Sequence, residues 1–214
     1  MKIQEVPSPI DLRNPKDAME WANEANIKRP WRYDFFDMYA HKINNLNIEN
    51  IQILDIGSGP GFLAKYLLQH CPDIRYTAAD FSNAMHKLSK SKLLTRELNR
   101  ATFRLIDFKQ KGWFEDLGQF DVVIIHQALH ELRHKAHAMN FHQQVKRLCK
   151  NQTVYFVCDH IFAPDAMQNN QLYMSKKEHF QSLKNASFKN IELIKDEKGL
   201  CLFECIESSE HPIS

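Results

Sequence analysis

Glycine is scarce in this chain, six in 214 residues, yet three of the six stand at positions 57, 59 and 61. Cysteine is sparse too. The five (Cys71, Cys149, Cys158, Cys201 and Cys205) are odd in number and never spaced C-x-x-C. That argues against a disulfide scaffold or a C-x-x-C redox or metal motif, and for buried reduced thiols in a cytosolic protein. Excess charge is missing: 28 Lys and Arg against 26 Asp and Glu give +2. There is no strong basic field for nucleic acid or an anionic membrane. No long apolar run exists. Val122–Ile125 is far too short to span a bilayer. Met1–Pro9 lacks the apolar stretch of a signal peptide. Internal repeats and low-complexity linkers are absent as well. The expectation is a soluble cytoplasmic protein with one well-packed domain.

What is present concentrates at residues 51–61, Ile-Gln-Ile-Leu-Asp-Ile-Gly-Ser-Gly-Pro-Gly. An apolar run breaks into glycines at alternate positions, which predicts a buried strand, a tight loop and then a helix. Glycine lets the backbone take positive φ and approach a ligand closely. Asp55 adds a charge that can meet a cation. A dinucleotide loop of the form G-x-G-x-x-G would need glycine where Phe62 stands, and a P-loop would end in Gly-Lys-Ser/Thr, which is absent.

From residue 51 strand and helix patterns alternate. Strands are expected over 51–56, 74–79, 102–106, 120–125 and 153–158, with a closing hairpin of 191–194 and 200–206 turning at Gly199. Helices are expected over 62–70, from Ser82 to about Leu98, around Phe141, Val145 and Leu148, and at Leu172, Phe180 and Leu183. Ahead of them, residues 16–29 predict one helix. Phe35, Tyr39, Ile43 and Leu46 predict another, capped by Asp34. Alternating βα units argue for a parallel sheet with helices on both faces.

Strand, Asp55 and G-x-G-x-G together resemble motif I of class I S-adenosylmethionine-dependent methyltransferases. The resemblance covers about 155 residues, from Ile51 to Ile206. It implies a Rossmann-like, seven-stranded, mostly parallel sheet in the order 3-2-1-4-5-7-6. The implied division is a helical N-terminal extension or cap (1–48), the methyltransferase domain (49–206) and a tail (207–214). It further implies that Asp55, Gly57, Ser58, Gly59 and Gly61 hold the methionine part of S-adenosyl-L-methionine. Asp80, 19 residues after Gly61 and followed by Phe81, would take the ribose hydroxyls, and Asp107 with Phe108 the adenine. Arg29-Pro30-Trp31-Arg32-Tyr33 is similar to caps that close over the cofactor, with Arg32 on its carboxylate and Tyr33 over the sulfonium. The plainer reading packs the Trp and Tyr against the domain. Where the family usually carries Pro-Gly-Gly before the fifth strand, this chain has Cys149-Lys150-Asn151-Gln152.

Eleven histidines are many. His126-Gln127-Ala128-Leu129-His130 resembles motif IV of small-molecule methyltransferases, where a strand ends and Ala-Leu-His opens a helix. His126, counted also among the cofactor residues, and His130 are candidates for the base that takes a proton from the acceptor or for positioning it. Asp159 or His160 would support them. His130-Glu131-Leu132-Arg133-His134 also spells the zincin pattern H-E-x-x-H, which on a helix sets two imidazoles one turn apart. With so many histidines a chance match is unsurprising, and no metal is expected.

The expected function is methyl transfer from S-adenosyl-L-methionine to O or N of a small molecule, releasing S-adenosyl-L-homocysteine. No Asn-Pro-Pro-Tyr follows the fourth strand, and no Pro-Cys nucleophile appears. The alternatives are a protein or RNA acceptor, an inactive cofactor-binding module and, remotely, a zinc hydrolase at 130–134.

Overall fold

A computed structural model describes residues 3–207. Seven strands, β1 (Ile51–Ile56), β2 (Ile74–Asp80), β3 (Ala101–Leu105), β4 (Phe120–His126), β5 (Cys149–His160), β6 (Ile191–Glu197) and β7 (Leu200–Ile206), form one sheet. Its order is β3-β2-β1-β4-β5-β7-β6. The expected Rossmann-like order and strand count are therefore present. The described residues divide into two compact units, 8–110 and 3–7 with 111–207. The expected tail, 207–214, lies outside the described residues except for Glu207.

In the unit 8–110, β1 pairs with β2 and β2 with β3, all parallel. Five of the six β1 residues are buried, as a strand covered on both faces must be. α1 (Pro15–Lys28) starts with the Asn14 side chain accepting the Lys16 N–H at 2.9 Å. α2 (Tyr33–Asn44) buries Phe35, Phe36, Tyr39 and Ile43. Asp34 does not cap it. A 3₁₀ turn over Pro30–Arg32 runs straight into α2, so there is no extended residue from which a side chain could cap. Leu46 lies past its end.

α3 (Phe62–His70) follows the glycine loop directly. Ser82 caps α4 (Asn83–Ser91), accepting the Met85 N–H at 3.1 Å. The expected helix to Leu98 is broken. Buried Glu97 accepts the Leu94 N–H at 2.9 Å and Gln69 Nε2 at 3.2 Å, and so starts a separate turn, α5 (Thr95–Leu98). A local carboxylate cap outweighs propagation of the longer helix.

In the other unit, β4 pairs parallel with β5, and β7 pairs antiparallel with β5 and β6. Residues 149–152 are not a turn before β5 but its first part. Cys149 is opposite Phe120, and an irregularity between Phe120 and Val122 absorbs the extra residues. The β6–β7 turn is shorter than expected, only Lys198 and Gly199, both with positive φ (50° and 76°). That is the two-residue geometry that matches strand twist. α6 is Ala138–Lys146. Ser175 and Glu178 form a capping box on α7 (Lys176–Asn185). Leu172 is not helical: its N–H bonds to the Asn169 carbonyl in a turn before α7.

All five cysteines are buried thiols without disulfides. No helix among the described residues is long and apolar enough to cross a membrane. Two histidines sit inside the unit as neutral rings. His142 Nδ1 meets the Tyr155 hydroxyl at 2.9 Å, and His179 stacks on Phe203 at 5.4 Å. Burial lowers their pKa values to about 3 and about 4. The unfolded chain protonates them near 6.5, so below that pH it binds more protons than the fold. Stability is then lost as pH falls from about 6.5 toward 4, by at most ~1.4 kcal/mol per unit for each ring. His179→Phe, which keeps the stacked ring, is expected to flatten the fall in melting temperature between pH 7 and 4.5. Thermal melts across that range check it.

Candidate active site

The glycine loop leaves β1 and is tied to the end of β2. Gly57 and Ser58 N–H donate to the Ala79 carbonyl at 2.8 and 3.1 Å. The Gly59 N–H donates to Asp80 Oδ2 at 2.8 Å, and the Ser82 N–H to Asp80 Oδ1 at 2.8 Å. One buried carboxylate thus fixes both the loop and the turn into α4. Two of the glycines are required for different reasons. Gly61 (φ 81°) lies against α4, and a Cβ there would come within 2.8 Å of the Ser89 Cα. Gly59 (φ 55°) has no atom within 4 Å of where its Cβ would stand, so the space above it is open.

Asp55, under this loop, is fully buried and accepts a short hydrogen bond from the Tyr76 hydroxyl. Burial, and then the neighbouring Asp80 charge, push its pKa up to about 7 against the pull of Tyr76. Arg32 is 3 % exposed. Its Nη2 donates to the Ala25 carbonyl at 3.0 Å, its guanidinium lies 5.6 Å from the Phe62 ring centre, and its Nε has no hydrogen-bond partner. Burial, with Arg29 adding to it, lowers its pKa to about 10. Tyr33 packs on Phe36 and Tyr66, and Trp31 on Phe35.

At the end of β3, Phe108 is buried. Asp107 accepts the Lys109 N–H at 3.0 Å and bonds Arg13 Nη2 at 3.1 Å. The same guanidinium lies 4.4 Å from the Phe81 ring centre. Ser82 Oγ, bonded to the Leu12 carbonyl at 2.5 Å, anchors the segment that carries Arg13. Nothing in the sequence pattern marked Arg13. Its role follows only from where residues 11–14 cross.

In the other unit, His126 ends β4, opposite Cys158. Ala128-Leu129-His130 does not open an α-helix. Leu129–Leu132 is a 3₁₀ turn, Arg133 has φ 62°, and His134 is extended. The H-E-x-x-H helix is therefore not formed, and His126, His130 and His134 do not share a helical face. No group of three or more His, Cys, Asp or Glu suited to a metal is found among the described residues.

The 3₁₀ turn instead brings His130 to Asp159. Nδ1 meets Asp159 Oδ1 at 2.7 Å, and the His130 backbone N–H donates to Oδ2 at 2.7 Å. The His160 N–H adds a bond to Oδ1 at 2.8 Å. A carboxylate only accepts, so Nδ1 carries the proton and Nε2 keeps the lone pair in the neutral ring. Burial disfavours the charged ring, but the Asp159 carboxylate outweighs it and the His130 pKa is raised. The Asp159 pKa is lowered, as its partners' charge outweighs burial. His160 Nε2 meets Gln127 Nε2 at 3.0 Å, and the Tyr173 ring lies 5.5 Å from His130. The pattern of strand ends pointed to Asp159 and His160. Gln127 and Tyr173 carry no sequence signal.

Comparison with known proteins joins these observations. A family described as a methyltransferase domain matches residues 53–152, from inside β1 into β5. Over these residues, a little under half of its length, the chain is similar to the methyltransferase family. The fold of such methyltransferases is shared by solved structures of low identity. Human N-acetylserotonin methyltransferase in complex with SAM is 14% identical over 92% of this chain and 58% of that one, with TM-score 0.70. An O-methyltransferase family protein from Burkholderia thailandensis is 14% identical over 92% and 61%, with TM-score 0.73. A SAM-dependent methyltransferase from Aquifex aeolicus is 18% identical over 90% and 98%, with TM-score 0.65. The chain spans 58%, 50% and 61% of three of the larger structures it matches. No curated protein matches it.

This methyltransferase fold has features that fit the cofactor of the methyltransferases it resembles. Ser58 Oγ and Arg32 Nε are buried without hydrogen-bond partners, and the space over Gly59 is open. Two substitutions separate architecture from site. Gly61→Ala is expected to destabilise the protein by about 2 kcal/mol or more, from left-handed strain plus the clash with α4. Gly59→Ala is expected to cost only the strain, about 1 kcal/mol. Urea unfolding of the two variants checks the difference.

Proposed function

We propose that the protein transfers a methyl group from S-adenosyl-L-methionine to an oxygen or nitrogen of a small-molecule acceptor, with His130 as the base that takes the acceptor's proton. The observation that carries this reading is the His130–Asp159 pair, set at the carboxyl ends of parallel strands, where open α/β sheets bind ligands. The small-molecule acceptor draws support from a fold neighbour described as N-acetylserotonin methyltransferase. Release of S-adenosyl-L-homocysteine follows from the reaction.

The bound cofactor supplies an electrophilic methyl on a sulfonium, for in-line displacement by the acceptor atom. The residues of this chain bind and orient. Arg32 pairs its buried guanidinium with the cofactor carboxylate, and Ser58, with the Gly57–Gly61 backbone, lines the methionine part. Asp55, ionised, meets the cationic end. Asp80 accepts the ribose hydroxyls beside the backbone donors it already holds, with Phe81 adjacent. Asp107 and Phe108 take the adenine, next to Arg13. His126 is assigned to the cofactor as well, and residues 1–48 are the helical extension or cap of the domain 49–206. At the acceptor, Asp159 holds the His130 ring so that Nε2 receives the proton as the acceptor oxygen or nitrogen attacks.

Each assignment has a measurable consequence. Removing one partner of a buried charge pair costs about 2–5 kcal/mol, so Arg32→Met, which leaves the carboxylate unpaired, should weaken cofactor binding by about 30-fold or more in calorimetry. A cation beside Asp55 lowers the carboxyl's pKa from about 7. Binding then expels a proton, and affinity should rise with pH up to about 7 and level off above it. Asp55→Asn should remove that slope. A pH-independent affinity in the wild type would exclude the role of Asp55.

His130 tests the chemistry. His130→Asn should lower kcat by about 10²–10⁴ while leaving the cofactor Kd unchanged, once an acceptor screen has supplied a substrate. Because Asp159 raises the His130 pKa, the protonated, inactive ring persists above pH 6.5, and activity should rise with pH through that higher value. Cofactor binding with no turnover across a broad acceptor panel would favour an inactive binding module instead.

A further inference from the structure

Arg133 has no part in the proposed reaction, yet its backbone and side chain are both tightly held near His130. Its backbone sits in the left-handed region at φ 62°, a conformation that costs a non-glycine residue about 1–2 kcal/mol. The side chain is 9 % exposed. Its three donor groups are all engaged. Nε donates to the Val6 carbonyl at 2.9 Å and Nη2 to the Pro7 carbonyl at 2.7 Å. Nη1 reaches Glu131 Oε2 at 3.4 Å. In return, the Val6 N–H donates to the Arg133 carbonyl at 2.8 Å. Residues 6 and 7 and Arg133 therefore grip each other through both backbone and guanidinium. Glu5 Oε1 lies 4.0 Å from His137 Nε2.

The grip reaches His130 through Glu131. The other oxygen of that carboxylate, Oε1, stands 3.5 Å from His130 Nε2. This is the nitrogen left with the lone pair when Nδ1 bonds Asp159. The distance is long for a hydrogen bond but short for two charges. A Glu131 free to swing onto Nε2 would clamp the ring as a stable imidazolium. A Glu131 held at its far oxygen by a guanidinium does so less. The groups facing the imidazole are Asp159 and His160 from β5, Tyr173 from the turn before α7, and Glu131 and Arg133 from its own turn.

We propose that Arg133 is a positioning residue. Fixed by the Val6 and Pro7 carbonyls, it restrains the Glu131 carboxylate and so sets how readily His130 gives up its proton. The N-terminal segment thereby becomes part of the acid–base apparatus without touching substrate. The catalytic meaning of this rests on the reading of His130 as the base; the effect on the imidazole does not.

The test is a proton NMR titration of the histidine Cε1–H signals in the full chain, with His130 assigned by its loss in His130→Asn. The pH dependence of kcat/KM is measured alongside. Arg133→Met is expected to raise the His130 pKa by about half a unit to one unit, because a cation leaves and Glu131 is released. Glu131→Gln is expected to lower it by a similar amount, about half a unit to one unit. Arg133→Lys keeps the charge but not the planar fork, and should fall between wild type and Arg133→Met. Should Arg133→Met not fold, Arg133→Lys, which keeps the charge and much of the bulk, decides in its place. An unmoved His130 signal in the folded variants overturns the proposal. Movement of the signal without movement of the kcat/KM limb leaves the positioning role standing and removes His130 as the base.

Discussion

The Asp80 carboxylate is the contact on which the geometry of unit 8–110 turns. A side chain at the end of β2 accepts the Gly59 N–H from one loop and the Ser82 N–H from another, each at 2.8 Å. Charge-assisted bonds to backbone donors are among the stronger hydrogen bonds a protein makes. Here they substitute for packing, because a loop built on glycine has few side chains with which to hold itself. Gly61 then lets that loop press against α4, and Ser82 both caps α4 and holds the segment carrying Arg13. Glycine loop, helix start and N-terminal strap share one anchor.

The second unit repeats the device with another aspartate. Asp159, at the end of β5, accepts the backbone N–H of His130 and of His160 and the Nδ1–H of His130. Again a buried carboxylate at a strand terminus orients a loop that has no regular structure. This explains why residues 129–134 abandon the α-helix that Ala-Leu-His suggested. The hydrogen bond from the His130 N–H to a side chain replaces one that a helix would direct along its own axis.

Much of this was legible in the sequence, and the reasons differ by residue. Ile51–Ile56 and Phe62–His70 were readable to the residue, because an apolar run bounded by glycines leaves few other solutions. Asp55, Asp80, Asp107 and Asp159 were visible as acids at strand ends. The break after Ser91 was hidden, since it depends on Glu97 being buried against Gln69, a tertiary fact. H-E-x-x-H misleads for the same reason: spacing defines a helical face only if the backbone is helical, and Asp159 and the left-handed Arg133 decide that it is not. Arg13 and Arg133 were silent because a surface cation and a buried one look alike in sequence.

Three buried aspartates at strand ends are thus driven to different states by their neighbours. Asp55 has one neutral donor, Tyr76, and a like charge nearby, so burial prevails and its pKa rises to about 7. Asp159 has an imidazole and two backbone donors, so its charge is kept and passed on as a raised His130 pKa. Asp80 accepts donors from two loops and fixes their geometry. The same residue type under similar burial yields a proton-sensitive group, an orienting anion and a structural clamp. The donor count around each carboxylate, rather than its depth, separates them. Neighbours, not position along a strand, therefore decide what a buried carboxylate at a strand end can do.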